Sequence, residues 1–151
     1  MLIRYFNFLF CFLLFCLIQC KNKNQSIPLP DPLIIEITGK NYEWQIRYSG
    51  TDNEFNTLDD ILVVRDFHLP TNTNIQLLLK STDFVYFFSI PELNQIESAI
   101  PELVHQLHFI IKSSDKYILK GDQMCGYSHE SLDGEVIAEN PSSFQRWLKN
   151  Q

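Results

Sequence analysis

Tyr42-Glu43-Trp44-Gln45-Ile46-Arg47-Tyr48 alternates an apolar or aromatic residue with a charged or amide one at every step. Successive side chains of an extended strand point to opposite faces. The spacing therefore predicts a half-buried strand with Tyr42, Trp44, Ile46 and Tyr48 inward and Glu43, Gln45 and Arg47 outward. Branched and aromatic runs of similar length recur at 33–38, 58–64, 75–80, 84–90, 104–112, 116–119 and 135–138. Turn signals divide them: Thr38-Gly39-Lys40, Ser49-Gly50-Thr51, Leu69-Pro70-Thr71-Asn72 and Ser113-Ser114-Asp115. Many short strands with one helical pattern predict an all-β, antiparallel sandwich or barrel of Greek-key type. That helix is terminal. Asn140 can cap it, Pro141 suits its first turn, and Phe144, Trp147 and Leu148 fall on one face.

Outward from this core the chain changes character. Residues 21–32 are polar and hold Pro28, Pro30 and Asp31-Pro32, which reads as an extended spacer. Before it, residues 1–19 pair a single positive charge, Arg4, with an apolar run from Tyr5 to Ile18 interrupted only by Asn7. This is the pattern of a secretory signal, and its apolar length falls short of the ~20 residues of a comfortable membrane-spanning helix. Leu17-Ile18-Gln19-Cys20 is similar to a bacterial lipoprotein signal, with Gln19 where a small residue is usual. The resemblance implies a lipid anchor at Cys20; an uncleaved apolar anchor is the alternative. The division is thus a signal over 1–19, a lipidated tether and linker over 20–32, and one domain over 33–151. Both anchor readings place that domain outside the cytoplasmic membrane, in the periplasm or on the cell surface.

Composition removes several function classes. The 151 residues carry a formal net charge of −6 with no basic stripe, against nucleic acid as a partner. The four cysteines are Cys11, Cys16, Cys20 and Cys125, a distribution that builds no disulfide framework. There is no G-x-S-x-G elbow, no H-E-x-x-H and no glycine-rich phosphate loop, so no catalytic site of its own is expected. Asp59-Asp60 and His129-Glu130 read as solvated polar edges. His68 reads as a loop residue in the turn before Leu69-Pro70. His105 and His108 stand three apart in a strand and face opposite ways.

Gly121-Asp122-Gln123-Met124-Cys125-Gly126-Tyr127-Ser128-His129-Glu130-Ser131-Leu132 resembles the C-x-E-x-C-G-x-x-H-x-x-M loop of cytochrome c oxidase subunit II, which holds the dinuclear CuA centre. Other blocks agree in order. Residues 37–44 look like the family's T-G-x-Q-W-x-W strand, and Leu69-Pro70 with 75–83 matches its L-P, apolar strand and S-x-D segment. Ile90-Pro91-Glu92-Leu93 and Ala99-Ile100-Pro101 match its V-P-E-L and D-A-I-P pieces. The likeness spans about Glu36 to Leu148 and implies a cupredoxin-like Greek-key β-sandwich with a short C-terminal helix.

Carried over by position, the resemblance leaves Cys125 and His129 as residual copper ligands. Tyr86 stands at the first histidine, Gly121 at the first bridging cysteine, Gln123 at the glutamate and Leu132 at the methionine. Ser98, Ile96 and Glu102 replace an aspartate, a lysine and a glycine of the family pattern. Two bridging thiolates are what let a copper pair share an electron, and a mononuclear blue site needs two imidazoles with one thiolate. The cofactor expected is therefore none, or a single copper ion, and not CuA. The implied function is an accessory or interaction module, membrane-tethered through its lipid or anchor, of a respiratory or copper-handling complex. Its partners would be oxidase subunits or a copper-handling protein. The alternatives are an electron-transfer subunit of an oxidase and a Cu(I) chaperone using Cys125 and His129, aided by Met124.

Overall fold

A computed structural model of the chain describes residues 31–124 and 130–151. Its first hairpin sets the register of everything else. Strands β1 (Leu33–Lys40) and β2 (Glu43–Tyr48) pair antiparallel with Gly39 opposite Trp44 and Lys40 opposite Glu43, leaving a two-residue turn of Asn41 and Tyr42. Both turn residues have positive φ, 52° and 62°, as the tightest right-twisting hairpin demands. The expected turn at Thr38-Gly39-Lys40 is thus displaced by two residues, and Tyr42 belongs to the turn, not to the strand face. The cause is packing: a side chain on Gly39 would bring a Cβ to 2.4 Å from the Tyr86 ring. This glycine serves close approach, not chain reversal. Trp44, Ile46 and Tyr48 do face inward, each at most 1% exposed.

Among the described residues the other strands are β3 (Ile61–Val64), β4 (Phe67–Pro70), β5 (Ile75–Ser81), β6 (Tyr86–Ile90), β7 (Gln95–Ala99), β8 (His105–Phe109), β9 (Asp115–Gln123) and β10 (Gly134–Glu139). They form two five-stranded sheets, ordered β3-β2-β1-β5-β8 and β4-β10-β9-β6-β7. The expected purely antiparallel arrangement is corrected at two places. β1 runs parallel to β5 and β4 parallel to β10, because the chain crosses between sheets before rejoining each. β4 and β7 are strands that the apolar pattern does not announce. Pro70 suits the last residue of an edge strand, where no neighbour needs its missing N–H, and Gln95–Ala99 is a polar edge strand.

The core lies between the sheets, with Ile35, Ile37, Trp44, Ile46, Leu77, Leu79, Phe88 and Leu119 fully buried. β1 is covered on both faces, because on its outer side Glu36, 8% exposed, lies beneath Lys80 at 2.7 Å and Arg47 at 3.7 Å. Helix α1 (Pro141–Leu148) closes the end where β1 begins. The Asn140 side chain accepts the Ser143 N–H at 3.0 Å, Pro141 opens the first turn, and Phe144 is buried against Tyr48. Trp147 meets Tyr48 edge-on at 5.2 Å and lies flat over His68 at 4.2 Å. The opposite end gathers the β1–β2 turn, the start of β6 and the end of β9.

Candidate functional site

That opposite end is where the copper-loop resemblance falls. β6 pairs with β9 so that Tyr86 lies across from Gln123 and Phe88 across from Gly121. Between Gln123 and the short 3-10 turn Glu130–Leu132 runs the segment 125–129. Cys125 and His129 lie in it, outside the described residues, as does the proposed anchor Cys20. The flanks are fixed on both sides. The Met124 N–H donates to the Val85 carbonyl at 3.1 Å, and the Met124 side chain is exposed. Beyond the segment, Ser131 Oγ donates to the Tyr42 carbonyl at 2.5 Å, and the Trp44 indole N–H donates to the Leu132 carbonyl at 3.0 Å.

Tyr86, at the position of the family's first copper histidine, is fully buried. Its ring meets Trp44 at 5.7 Å, Phe84 at 6.3 Å and Tyr42 at 6.3 Å, all edge-on. Its hydroxyl donates to Asp83 Oδ1 at 2.8 Å and accepts the Tyr42 N–H at 3.2 Å. Burial, reinforced by the neighbouring Asp83 carboxylate, pushes the Tyr86 pKa up to about 12. Asp83 is the hub of this end. Burial alone would raise its pKa, but hydrogen bonds from the Asn41 N–H at 2.7 Å, Tyr86 Oη and the Phe84 N–H at 2.8 Å hold it below the usual carboxylate range. A carboxylate so fully employed in bracing two turns is a structural acceptor. Its signal in the sequence is Ser81-Thr82-Asp83, a spacing that favours side-chain bonds to nearby backbone.

Gly121 and Leu132 lie against each other. A Cβ built on Gly121 would stand 2.5 Å from Leu132 Cβ, 2.6 Å from the Leu132 carbonyl oxygen and 2.8 Å from Trp44 Nε1. Leu132 is fully buried and Gln123 is 7% exposed. Hydrocarbon and an indole N–H thus line the space between β9 and the 3-10 turn. Among the described residues no three of His, Cys, Asp or Glu are grouped as metal ligands would be.

The remaining expected positions are dispersed. His68 is corrected from a loop residue to a strand residue: it sits in β4, its Nδ1 2.6 Å from Glu139 Oε1 and its ring under Trp147, at the far end of the sandwich. Pairing with β10 draws it into the sheet. His105 and His108 do face opposite ways in β8, His105 bridging to Glu97 of β7 at 3.0 Å and His108 exposed. Asp59 and Asp60 are not merely a solvated edge. Asp59 accepts from the Thr51 N–H and the Thr57 hydroxyl, and Asp60 pairs with Arg47 at 3.1 Å, so the two carboxylates knit the β2–β3 connection. Ser98 lies in β7 beside the exposed Ile96, and Glu102 adopts φ 66°. No described helix is long and apolar enough to cross a membrane.

Two facing mixed sheets of five strands, with the loop between β9 and β10 at one pole, define a cupredoxin-like sandwich. The model of the periplasmic domain of cytochrome c oxidase subunit II matches residues 48–139, more than half of the chain, and the chain belongs to that family, whose domain is extracytoplasmic. Relatives include the alternative cytochrome c oxidase subunit 2 of Bradyrhizobium diazoefficiens, 24% identical over 85% of this chain and 54% of that protein. The heme-copper oxidase subunit 2 of Aeropyrum pernix is 28% identical over 80% of this chain and 50% of its own length. The chain thus spans about half the length of these relatives. The crystal structure of the periplasmic domain of subunit II of cytochrome oxidase from Bradyrhizobium japonicum superposes with a TM-score of 0.64 at 19% identity, covering 81% of this chain and 95% of that one. A subunit II domain caught in a mixed disulfide intermediate with a thioredoxin-like protein gives 0.66 at 18% identity, over 82% and 95%. At these identities the structures share the fold.

Proposed function

We propose that this protein is a membrane-tethered, extracytoplasmic subunit II-type domain whose dinuclear copper site is degenerate, and that it serves as an accessory or interaction module of a respiratory or copper-handling complex. The observation that carries this reading is the closed contact at Gly121. The position that would supply the first bridging thiolate has neither a side chain nor room for one. Tyr86 and Leu132, at two further ligand positions, are packed into the core. A pair of coppers bridged by two thiolates does not fit these residues. With Cys125 as the sole cysteine of the domain, the chain supplies one sulfur bridge at most.

The test is metal stoichiometry. The protein is loaded with copper under anaerobic conditions, and bound metal per chain is measured beside the visible spectrum. An accessory module retains no coloured dinuclear centre. Two coppers per chain with intense thiolate-to-copper bands overturn the reading and restore the electron-transfer subunit. One observation favours a second reading: Met124 is 68% exposed beside the segment that holds Cys125 and His129, and a thioether beside a thiolate and an imidazole suits Cu(I). One colourless Cu(I) per chain, lost in Cys125→Ser, selects that chaperone role. Attachment through Cys20 is tested separately, by incorporation of labelled palmitate in the parent and its loss in Cys20→Ser.

A further inference from the structure

A metal fixes the loop that ligates it; a loop with its ligands removed needs another fastening. Trp44 is placed to provide one. It sits in β2, fully buried, with its ring edge-on to Tyr86 at 5.7 Å and to Phe88 at 5.5 Å. Its single polar group, the indole N–H, reaches the opposite sheet's connection and donates to the carbonyl of Leu132, 88 residues further on. The same nitrogen stands 2.8 Å from where a Gly121 side chain would begin. One residue earlier, Ser131 Oγ binds the Tyr42 carbonyl of the β1–β2 turn. One residue later, the Asp133 carboxylate accepts the Gly121 N–H at 3.2 Å and pairs with Lys120 at 2.6 Å. Three consecutive residues are thereby tied to the β1–β2 turn, to β2 and to β9 by groups none of which is a metal ligand.

We infer that Trp44 is a positioning residue that latches the 130–133 turn in a metal-independent way, the glycine at 121 being what lets the turn close onto β9. This rests on the degenerate-site reading and deepens it. The end of the loop carrying Leu132 is held by an indole hydrogen bond and packing, so its order does not depend on copper. The direction of the effect follows from burial. A carbonyl facing the core that loses its donor has no water to replace it, and opening of the turn becomes easier by the free energy of that bond.

The experiment is hydrogen exchange followed by mass spectrometry on the full chain, with a chelator in every arm except one parallel parent arm, which is loaded with copper and holds no chelator. The variants are Trp44→Phe, and Trp44 replaced by benzothienylalanine, which keeps the size of the indole and deletes only its N–H. The amides of 131–134 in the parent exchange at the same rate with chelator as with copper. In the benzothienylalanine protein they exchange about tenfold faster, the equivalent of ~1.4 kcal/mol, while the β1 and β5 amides keep the parent rate. Trp44→Phe adds a cavity and shifts both sets. Faster exchange in the parent on chelation, or benzothienylalanine rates equal to the parent's at 131–134, overturns the inference. The benzothienylalanine comparison is made wholly under chelator and does not depend on the copper count of the stoichiometry experiment, so a failure of the latch and a failure of the degenerate-site reading are told apart by that arm.

Discussion

Gly121→Ala is the substitution whose sign the structure decides. Ordinarily a strand glycine with an unstrained backbone gains about 0.4–1 kcal/mol on conversion to alanine, because the unfolded chain loses freedom. Here the new methyl carbon would arrive 2.5 Å from Leu132 Cβ, 2.6 Å from the Leu132 carbonyl oxygen and 2.8 Å from Trp44 Nε1. All three are under the distance at which real carbon contacts occur. None belongs to the free end of a flexible side chain. Relief requires the 3-10 turn to withdraw from β9, at the ~1–3 kcal/mol typical of overpacking. Withdrawal also stretches the Trp44 to Leu132 hydrogen bond, whose loss in the core costs another ~1–3 kcal/mol. Set against the chain-entropy gain, the net is a destabilisation of about 1–6 kcal/mol, with a mid-range value of ~3 kcal/mol that lowers the melting temperature by roughly 12 °C for a domain of this size. Equilibrium urea unfolding with an unchanged m-value is the assay. Leu132→Ala does not rescue the variant, since alanine keeps both the Cβ and the carbonyl that obstruct. A Gly121→Ala protein as stable as the parent would refute the reasoning, because the space would then be open.

The same contacts govern the triple replacement Tyr86→His, Gly121→Cys and Leu132→Met. It yields no coloured dinuclear centre on copper loading, and absorption of the purified variant is the check. Glu102 stands at φ 66° where the family pattern has glycine, so Glu102→Gly raises stability by about 1 kcal/mol in a urea titration. Glu97 has its carboxyl pKa lowered, first by the Ser98 backbone N–H and then by the bridge to His105. Its contribution is therefore complete above the ordinary glutamate pKa of 4.5 and fades as pH falls through the depressed folded value; Glu97→Gln flattens that part of the acid-stability curve. Tyr86, with its pKa raised to about 12, contributes stability that is intact below pH 10 and fades as pH rises through 12; in alkaline melts Tyr86→Phe lessens the decline.

Much of the architecture is legible in the chain, for identifiable reasons. Strict alternation gave β2 its inward face, and the Asn140-Pro141 pair marked the helix start, because both signals are local. The β1–β2 turn lies two residues beyond the glycine that marks reversal in a local reading, because Gly39 answers to the Tyr86 ring 47 positions away. β4 and β7 carry no legible apolar alternation because β4 is four residues ending in a proline and β7 holds Gln95, Glu97 and Ser98 among its five. The parallel pairings of β1 with β5 and β4 with β10 are products of crossing between sheets, which no window of residues encodes. At the copper-loop end, aligned positions identified which ligands had changed. They could not reveal that Leu132, Trp44 and Gly121 meet, nor that Asp83 gathers Asn41, Phe84 and Tyr86 around one carboxylate. The long-range members of those groups are what no local window holds: Trp44 meets Leu132 across 88 positions and Asn41 meets Asp83 across 42.

The terminal helix carries a practical corollary. Phe144 and Trp147 form a cap over Tyr48 and His68, and Tyr48 in turn exchanges hydrogen bonds with the His68 backbone at 2.8 and 3.0 Å. Trimming the polypeptide back to Asn140 would strip that cap and wet the seam between β2 and β4, whereas Lys149, Asn150 and Gln151 project into solvent. Residues 141–148 are therefore part of the folded unit, whereas an affinity handle placed beyond Leu148 meets only solvent.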